Sequence, residues 1–340
     1  MKRAIVFILA LGITPVHAAF VTFDAPGAGT QGGHGTYAYG VNAQGVVVGT
    51  LTNPSSTSGY VRAPDGAITV FNVVEGLETH AIDVSADGTL VGYYKGTDGR
   101  YHDYIRAADG TITSFDPRKS KGTQGIAINA KDGTAGQFTD FSGVQHGFLE
   151  AASGKVKTFD AGETSTFGTF VTGMNAAKTV TGFWFDSADA MHGYLRAKDR
   201  TLTPVDIDGA GTGALQGTQP ESVNANGDVA GFYTNASGKR AGFLRTADGT
   251  VTTFKVPDAM QTVVASINKD RLIAGYYIDT GSVAHGFVRS PKGKFLVFNA
   301  PGAGLNAGAG TYVSRIGDDG TIVGEASDTA FTTHGFVGTP

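Results

Sequence analysis

The 340-residue chain contains no cysteine, which removes disulfide staples and cysteine-linked lipids from consideration. Helical periodicity is almost as scarce. Beyond residue 18, no run of ten or more residues places apolar side chains at i, i+3, i+4 and i+7, so the folded part of the chain has no amphipathic helix to offer. Nor does any apolar stretch reach the roughly 20 residues that span a bilayer. Basic residues are in deficit as well, 26 against 30 acidic ones, which argues against a nucleic-acid partner.

Glycine, by contrast, is abundant at 51 residues, without a Gly-x-y period and alongside 10% aromatic residues. Such a composition describes many tight turns between short strands. The first 18 residues stand apart. Lys2 and Arg3 precede an apolar run over 4–13, and Val16-His17-Ala18 supplies a small-residue end. This reads as a secretory signal cut after Ala18, leaving 19–340 as a single exported domain, secreted or periplasmic, with a net charge of −6.

From residue 36 onward one pattern recurs seven times at spacings of 43 to 49 residues. Its glycine anchor falls at Gly49, Gly92, Gly136, Gly182, Gly231, Gly275 and Gly324. Seven residues earlier stands Asn42, Ser85, Asn129, Asn175, Asn224, Asn268 or Gly317. Shortly after the anchor comes a second glycine motif, clearest in His146-Gly147-Phe148, His285-Gly286-Phe287 and His334-Gly335-Phe336. Each unit divides into four apolar runs broken by turn residues such as Asp87-Gly88 and Asp109-Gly110, which suit tight hairpins. Four antiparallel strands with no helix over them must bury both faces against neighbouring units, the geometry of β-propeller blades.

The expected fold is therefore all-β, with blades at about 36–72, 79–116, 123–160, 169–206, 218–255, 262–299 and 311–340. The seventh stops after its third strand, while Phe20–Gly29 matches Phe295–Gly304 almost residue for residue. The N-terminal segment 20–24 is accordingly predicted to be the missing strand that closes a seven-bladed ring. In the outer run, Phe20 and Phe23, Ile68 and Phe71, and Ile112 and Phe115 stand three apart rather than two, and a bulge in that strand is one reading of the spacing.

The repeated Ile/Val-Asn, Gly-Tyr/Phe, His-Gly-Phe and Phe-Asp/Asn-x-Pro-Gly-Ala elements resemble the HAF-repeat proteins, extracellular bacterial repeat proteins named for a His-Ala-Phe triplet. The resemblance covers the whole mature chain and implies export. It implies no catalytic residue, because the family carries no general activity to transfer. Here glycine replaces the middle alanine in the clearest copies, and Ser58 and Ala241 replace the histidine.

Candidate site residues come from rows where the units diverge. Equivalent histidines (His102, His146, His192, His285, His334) sit on different units, so no metal site is expected; Asp140, Asp186, Asp279 and Asp328, each six residues before such a histidine, predict a local Asp–His bond. Thr36, Thr79, Thr123, Thr169, Thr218, Thr262 and Thr311 form an unbroken row, read as structural though it would lie near one mouth of the axis. The aromatics Tyr94, Phe138, Trp184, Tyr233 and Tyr277 read as core between units rather than a stacking surface. The next row does vary: Tyr37, His80, Gln124, Phe170, Gln219, Val263 and Tyr312, followed within three residues by Glu221, Asp83 and Arg315. An axial mouth lined by Tyr37, His80, Gln124, Phe170, Gln219, Glu221, Tyr312 and Arg315 has the mixed aromatic and polar character of a small-ligand or sugar site.

Three functional classes follow: a monomeric exported binding module for carbohydrate or a surface partner, without cofactor; a carbohydrate-active lyase or hydrolase using His80 with Tyr37 or Tyr312 as acid and base and Arg315 to neutralise charge; and a structural surface protein. The binding module ranks first, because no compact acid–base pair can be read from spacing.

Overall fold

The computed structural model describes residues 19–129, 133–162 and 167–339. The predicted signal at 1–18 lies outside them. The described residues form 28 strands and no helix, and none of their segments is a helix long and apolar enough to cross a membrane.

Strands pair in consecutive antiparallel fours. In the first unit these are Gly35–Val41, Val47–Asn53, Ser56–Arg62 and Ile68–Phe71. In the last, Gly310–Ile316, Ile322–Ser327 and Thr333–Thr339 are followed in space by the N-terminal strand Ala19–Phe23, with Phe20 opposite Gly338 and Phe23 opposite Gly335. The reason lies in the side chains: a Cβ on Gly335 would come within 2.7 Å of the Phe23 ring, as one on Gly286 would come within 2.5 Å of Phe298. The outer phenylalanine thus lies on the bare backbone of the His-Gly-Phe motif, and glycine recurs there because any side chain would displace the ring.

The outer strands pair in regular register, so a bulge is not the cause of the three-residue spacing. Residues three apart on a strand point to opposite faces, and both faces here are covered. Ile68 packs with Ala25, Leu51 and Tyr60, whereas Phe71 packs with Val48 and with Ala81 and Tyr104 of the next unit. The bulge lies instead in every innermost strand, where the register shifts between Ala38 and Gly40, Ala81 and Asp83, Pro220 and Ser222, Val313 and Arg315, and likewise in the other units.

Repeated residues hold the seams between units. Asn42 accepts from the amides of Gln44 and Val46, shaping its own turn, while its Nδ2 donates to the Ser85 carbonyl of the next unit at 2.9 Å. Asn175, Asn224 and Asn268 reach forward in the same way to Asn224, Asn268 and Gly317. The threonine row is buried. Six of its hydroxyls accept from backbone amides just beyond the preceding outer strand, as Ala25 to Thr36 at 2.9 Å, Val73 to Thr79 at 3.1 Å and Ala300 to Thr311 at 2.9 Å, while Thr123 instead donates to Asp116 at 2.6 Å. Single parallel bridges join third strands to the following innermost strand at Met191 and Gly217, Ala284 and Gly310, and also Thr333 and Gly35, linking the last unit to the first. At Gly35 (φ 141°) a Cβ would fall 1.9 Å from the Thr333 carbonyl oxygen, so this junction requires glycine.

Candidate functional site

The bulge of each innermost strand turns one extra side chain inward. These seven, Tyr39, Ile82, Ile126, Thr172, Glu221, Ala265 and Ser314, all border a single cavity of about 450 Å³. One residue further, Asp83 and Arg315 border it too. Equivalent positions on every unit meeting one cavity defines the common axis around which the sheets stand.

The sequence-derived residues divide into two tiers. Glu221 and Arg315 border the cavity. Tyr37, His80, Gln124, Phe170, Gln219 and Tyr312 lie earlier on the same strands, directly opposite Thr50, Tyr93, Gln137, Phe183, Phe232 and Glu325 of the second strands. Cross-strand partners share a face, and several touch. His80 stacks on Tyr93 with ring centres 4.5 Å apart, Phe170 on Phe183 at 5.1 Å, and Gln137 Nε2 donates to Gln124 Oε1 at 3.3 Å. The Tyr37 and Tyr312 hydroxyls donate to the Gly33 and Gly308 carbonyls.

The charges of this lining are mostly spoken for. Arg315 Nη1 lies 3.1 Å from Asp83 Oδ1, and buried Asp83 also accepts from the amides of Val84 and Ile128. Burial pushes the Asp83 carboxyl up, against the pull of Arg315 and the two amides. Arg315 therefore reaches past the first unit to clamp the second, which is possible because Gly40 stands between: a Cβ there would meet the Ile82 carbonyl oxygen at 3.0 Å. His80 Nε2 lies 3.8 Å from Glu78, whose carboxylate also accepts from Tyr101 at 2.7 Å and Lys95 at 3.1 Å. Burial pushes His80 down, with Glu78 opposing.

Two carboxyls have no such arrangement. Glu221 accepts one bond, from Gln219 Nε2 at 2.7 Å, and burial pushes it up to about 8. Glu325 accepts none among the described residues, and burial pushes it up to about 7. Both act on the Tyr276 hydroxyl, which burial and these carboxylates raise against the pull of Arg240. Tyr276 meets Tyr312 edge-on, ring centres 5.0 Å apart. Glu325, Tyr39, Tyr93 and Tyr276 were not singled out from the sequence. A signal for three of them was present, since the residue following each glycine anchor varies as freely as the row that was chosen: Thr50, Tyr93, Gln137, Phe183, Phe232, Tyr276, Glu325.

The repeated histidines take the local role expected of them, with a second acidic or amide partner added. His192 lies 3.3 Å from Asp186 and 3.1 Å from Asp206; His285 lies 3.2 Å from Asp279 and 2.7 Å from Asn299. In the last unit this second partner is Asp24, at 2.8 Å from His334. The aromatic row packs against these imidazoles, Trp184 on His192 at 4.7 Å and Tyr277 on His285 at 5.0 Å, and contributes to the core. Among the described residues no group of three or more acidic and histidine side chains is placed to hold a metal ion.

No family model matches the chain, and no curated protein does. Solved structures do match. Virginiamycin B lyase from Staphylococcus aureus aligns over 95% of this chain and 100% of its own, with a TM-score of 0.59 at 12% identity. The β-propeller domain of the Trilobed protease from Pyrococcus furiosus, described as having an open velcro topology, aligns over 89% and 93% with a TM-score of 0.58 at 10% identity. Puromycin hydrolase aligns over 87% of this chain and 50% of its own, with a TM-score of 0.56 at 12% identity. At such identities the likeness defines the fold, and the chain is a β-propeller.

Proposed function

We propose that the seven units close into a seven-bladed ring through the N-terminal strand, and that the ring is an exported binding module taking carbohydrate at its axis. The observation that carries this reading is the contrast between the repeated residues of the seams, several of whose asparagines also border the cavity, and the bulge position at the axis, where nearly every unit presents a different side chain. A channel that only had to be filled would tolerate the repeated residue there as well. Tyr39, Tyr276 and Tyr312 supply flat apolar rings, and Glu221, Glu325 and the Gln124–Gln137 pair supply polar contacts, which is the mixture that sugars require. Closure is supported by the pairing of 19–23 with the last unit and by the bond of His334 to Asp24. Membership of the HAF-repeat proteins and a secreted or periplasmic location are part of the same proposal, resting on the repeat motif and the first 18 residues.

A second reading is favoured by one feature. A carboxyl raised to about 8, as at Glu221, is protonated at neutral pH and suits a general acid, so a carbohydrate-active enzyme is the alternative. Screening the mature protein, residues 19–340, against a glycan array and analysing the same mixtures for products tests both. Binding without products that is lost in Tyr276→Ala is the expected result. Cleaved products that vanish in Glu221→Gln move the assignment to the enzyme, and absence of any glycan binding overturns both.

A further inference from the structure

We infer that the axial site selects a sugar bearing a free, positively charged amine, a glucosamine-type unit held by Glu221 and Glu325 against Tyr276 and Tyr312. The inference rests on the glycan-binding reading above and deepens it.

A charge inventory of the axis leads there. Asp83 has Arg315 and His80 has Glu78. Among the described residues no ion pair reaches Glu221 or Glu325, and Glu325 accepts no hydrogen bond at all. Arg240 acts on Glu221 through space, but its guanidinium lies over the Phe232 ring, 5.0 Å from its centre, on an exposed residue. The two glutamates come from units 5 and 7, and both act on Tyr276 of unit 6 between them. Glu325 stands directly opposite Tyr312 and also acts on Tyr39, the cavity-lining residue of unit 1. Two carboxyls without an ion pair thus flank an aromatic corner formed by Tyr276 and Tyr312 at an interplanar angle of 67°.

The complement of that corner follows from its chemistry. An ammonium group neutralises a carboxylate that burial otherwise penalises, and it is attracted to the negative face of a tyrosine ring. The sugar ring attached to it lays its C–H face on the second tyrosine. A uronic acid would add another acidic group beside two carboxyls whose charged forms burial already penalises, and would bring no cation to compensate either. An N-acetylated sugar would bring neither the charge nor the compactness, so it would leave both glutamates uncompensated.

Titration calorimetry on residues 19–340 tests this with three probes: a glucosamine oligomer, the N-acetylglucosamine oligomer of the same length, and spermidine. The glucosamine oligomer is expected to bind at least about tenfold more tightly than either of the others. Glu325→Gln and Glu221→Gln are each expected to weaken it by about tenfold or more while melting no lower than wild type, since each change removes an unpaired carboxyl. Equal affinity for both oligomers, unchanged affinity in both variants, or spermidine binding as tightly as the oligomer overturns the amine inference. Neutral glycans that still bind in those cases leave the glycan reading intact. Loss of all glycan binding on the array defeats that reading separately.

Discussion

The seams between units and the lining of the axis are built under opposite rules. Along a seam the same residue does the same work in unit after unit: a glycine under an outer phenylalanine, an asparagine bonded forward, a threonine accepting from the preceding unit. At the axis, Tyr39, Ile82, Ile126, Thr172, Glu221, Ala265 and Ser314 occupy one structural position with six residue types among seven. Seam residues solve a packing problem that the fold poses identically each time. Axis residues face space, so nothing in the fold dictates their identity.

The largest effect should come from opening the seam on which the proposed closure rests. A chain beginning near Gly35 loses the ladder of Ala19–Phe23 with Thr333–Thr339, at about 1 kcal/mol per bond. It also loses Phe20, stacked 4.3 Å from Phe298, and Phe23, which lies beneath Arg62, each at about 2 to 3 kcal/mol. The last unit is left with an unpaired edge that invites aggregation. Such a chain is expected to be insoluble or to melt without cooperativity, while 19–340 melts as one unit. Identical melting of the two by differential scanning calorimetry would show that the ring is not closed this way.

Next in size is truncation within an ordinary seam. Phe287 and Phe148 are fully buried, and alanine at either is expected to cost about 3 to 5 kcal/mol in urea unfolding. A cost below about 1 kcal/mol would mean that the units are loosely stacked and the comparison drawn above fails.

One seam breaks its own rule. Where six units have glycine beneath the outer aromatic or its equivalent, the second has Asp103, wholly buried with no side-chain partner for either carboxylate oxygen, only the Tyr104 amide acting on it. Burial, with Glu150 adding repulsion, raises this carboxyl well above its ordinary value. The folded state therefore holds the proton more tightly than the unfolded one, and stability is lost as pH rises from about 4 upward. Asp103→Gly is expected to stabilise by about 1 to 3 kcal/mol at neutral pH, and by less at pH near 4. Urea melts of both proteins at the two pH values check it; a variant less stable at neutral pH would mean the carboxyl has a partner in solution.

This exception shows where sequence reading stops. The repeat, the four strands of its units and the pairing of 20–24 with the last unit could be written down from residue types alone, because seam packing repeats and repetition is visible. The bulge could not be placed. It leaves no residue of its own, and the visible oddity, the three-residue spacing of Ile68 and Phe71, arose from a strand covered on both faces. Displacing the bulge to the innermost strand is what turns Tyr39 and Glu221 to the axis and spends Arg315 on Asp83. Glu325 escaped notice because it follows a repeated glycine and reads as part of a seam.

The histidines should give a smaller effect. In His102 and His192 burial works to lower the imidazole, but the flanking carboxylates outweigh it and the net shift is upward. A raised folded value means their contribution is complete below about pH 6.5 and fades as pH rises through the folded value. Both rings are partly solvent-exposed, so screening holds each to under about 1 kcal/mol. His192→Gln is expected to lower stability at pH 5.5 and to differ little from wild type at pH 9, measured by urea melts; a deficit that grows with pH would reverse the assignment.

The smallest effect on stability is expected at the axis, and there the comparison is tested most sharply. Tyr276→Phe removes a hydroxyl whose surroundings are two carboxyls and the edge of Tyr312, leaving the ring in place. If the axis is free of fold constraints, urea unfolding should change by no more than about 0.5 kcal/mol. Glycan affinity should nevertheless fall, because the hydroxyl is one of the few polar groups the aromatic corner offers. A stability loss as large as that of Phe287→Ala would place Tyr276 in a seam, and the division between repeated structure and diverging function would then have to be redrawn one strand further from the axis.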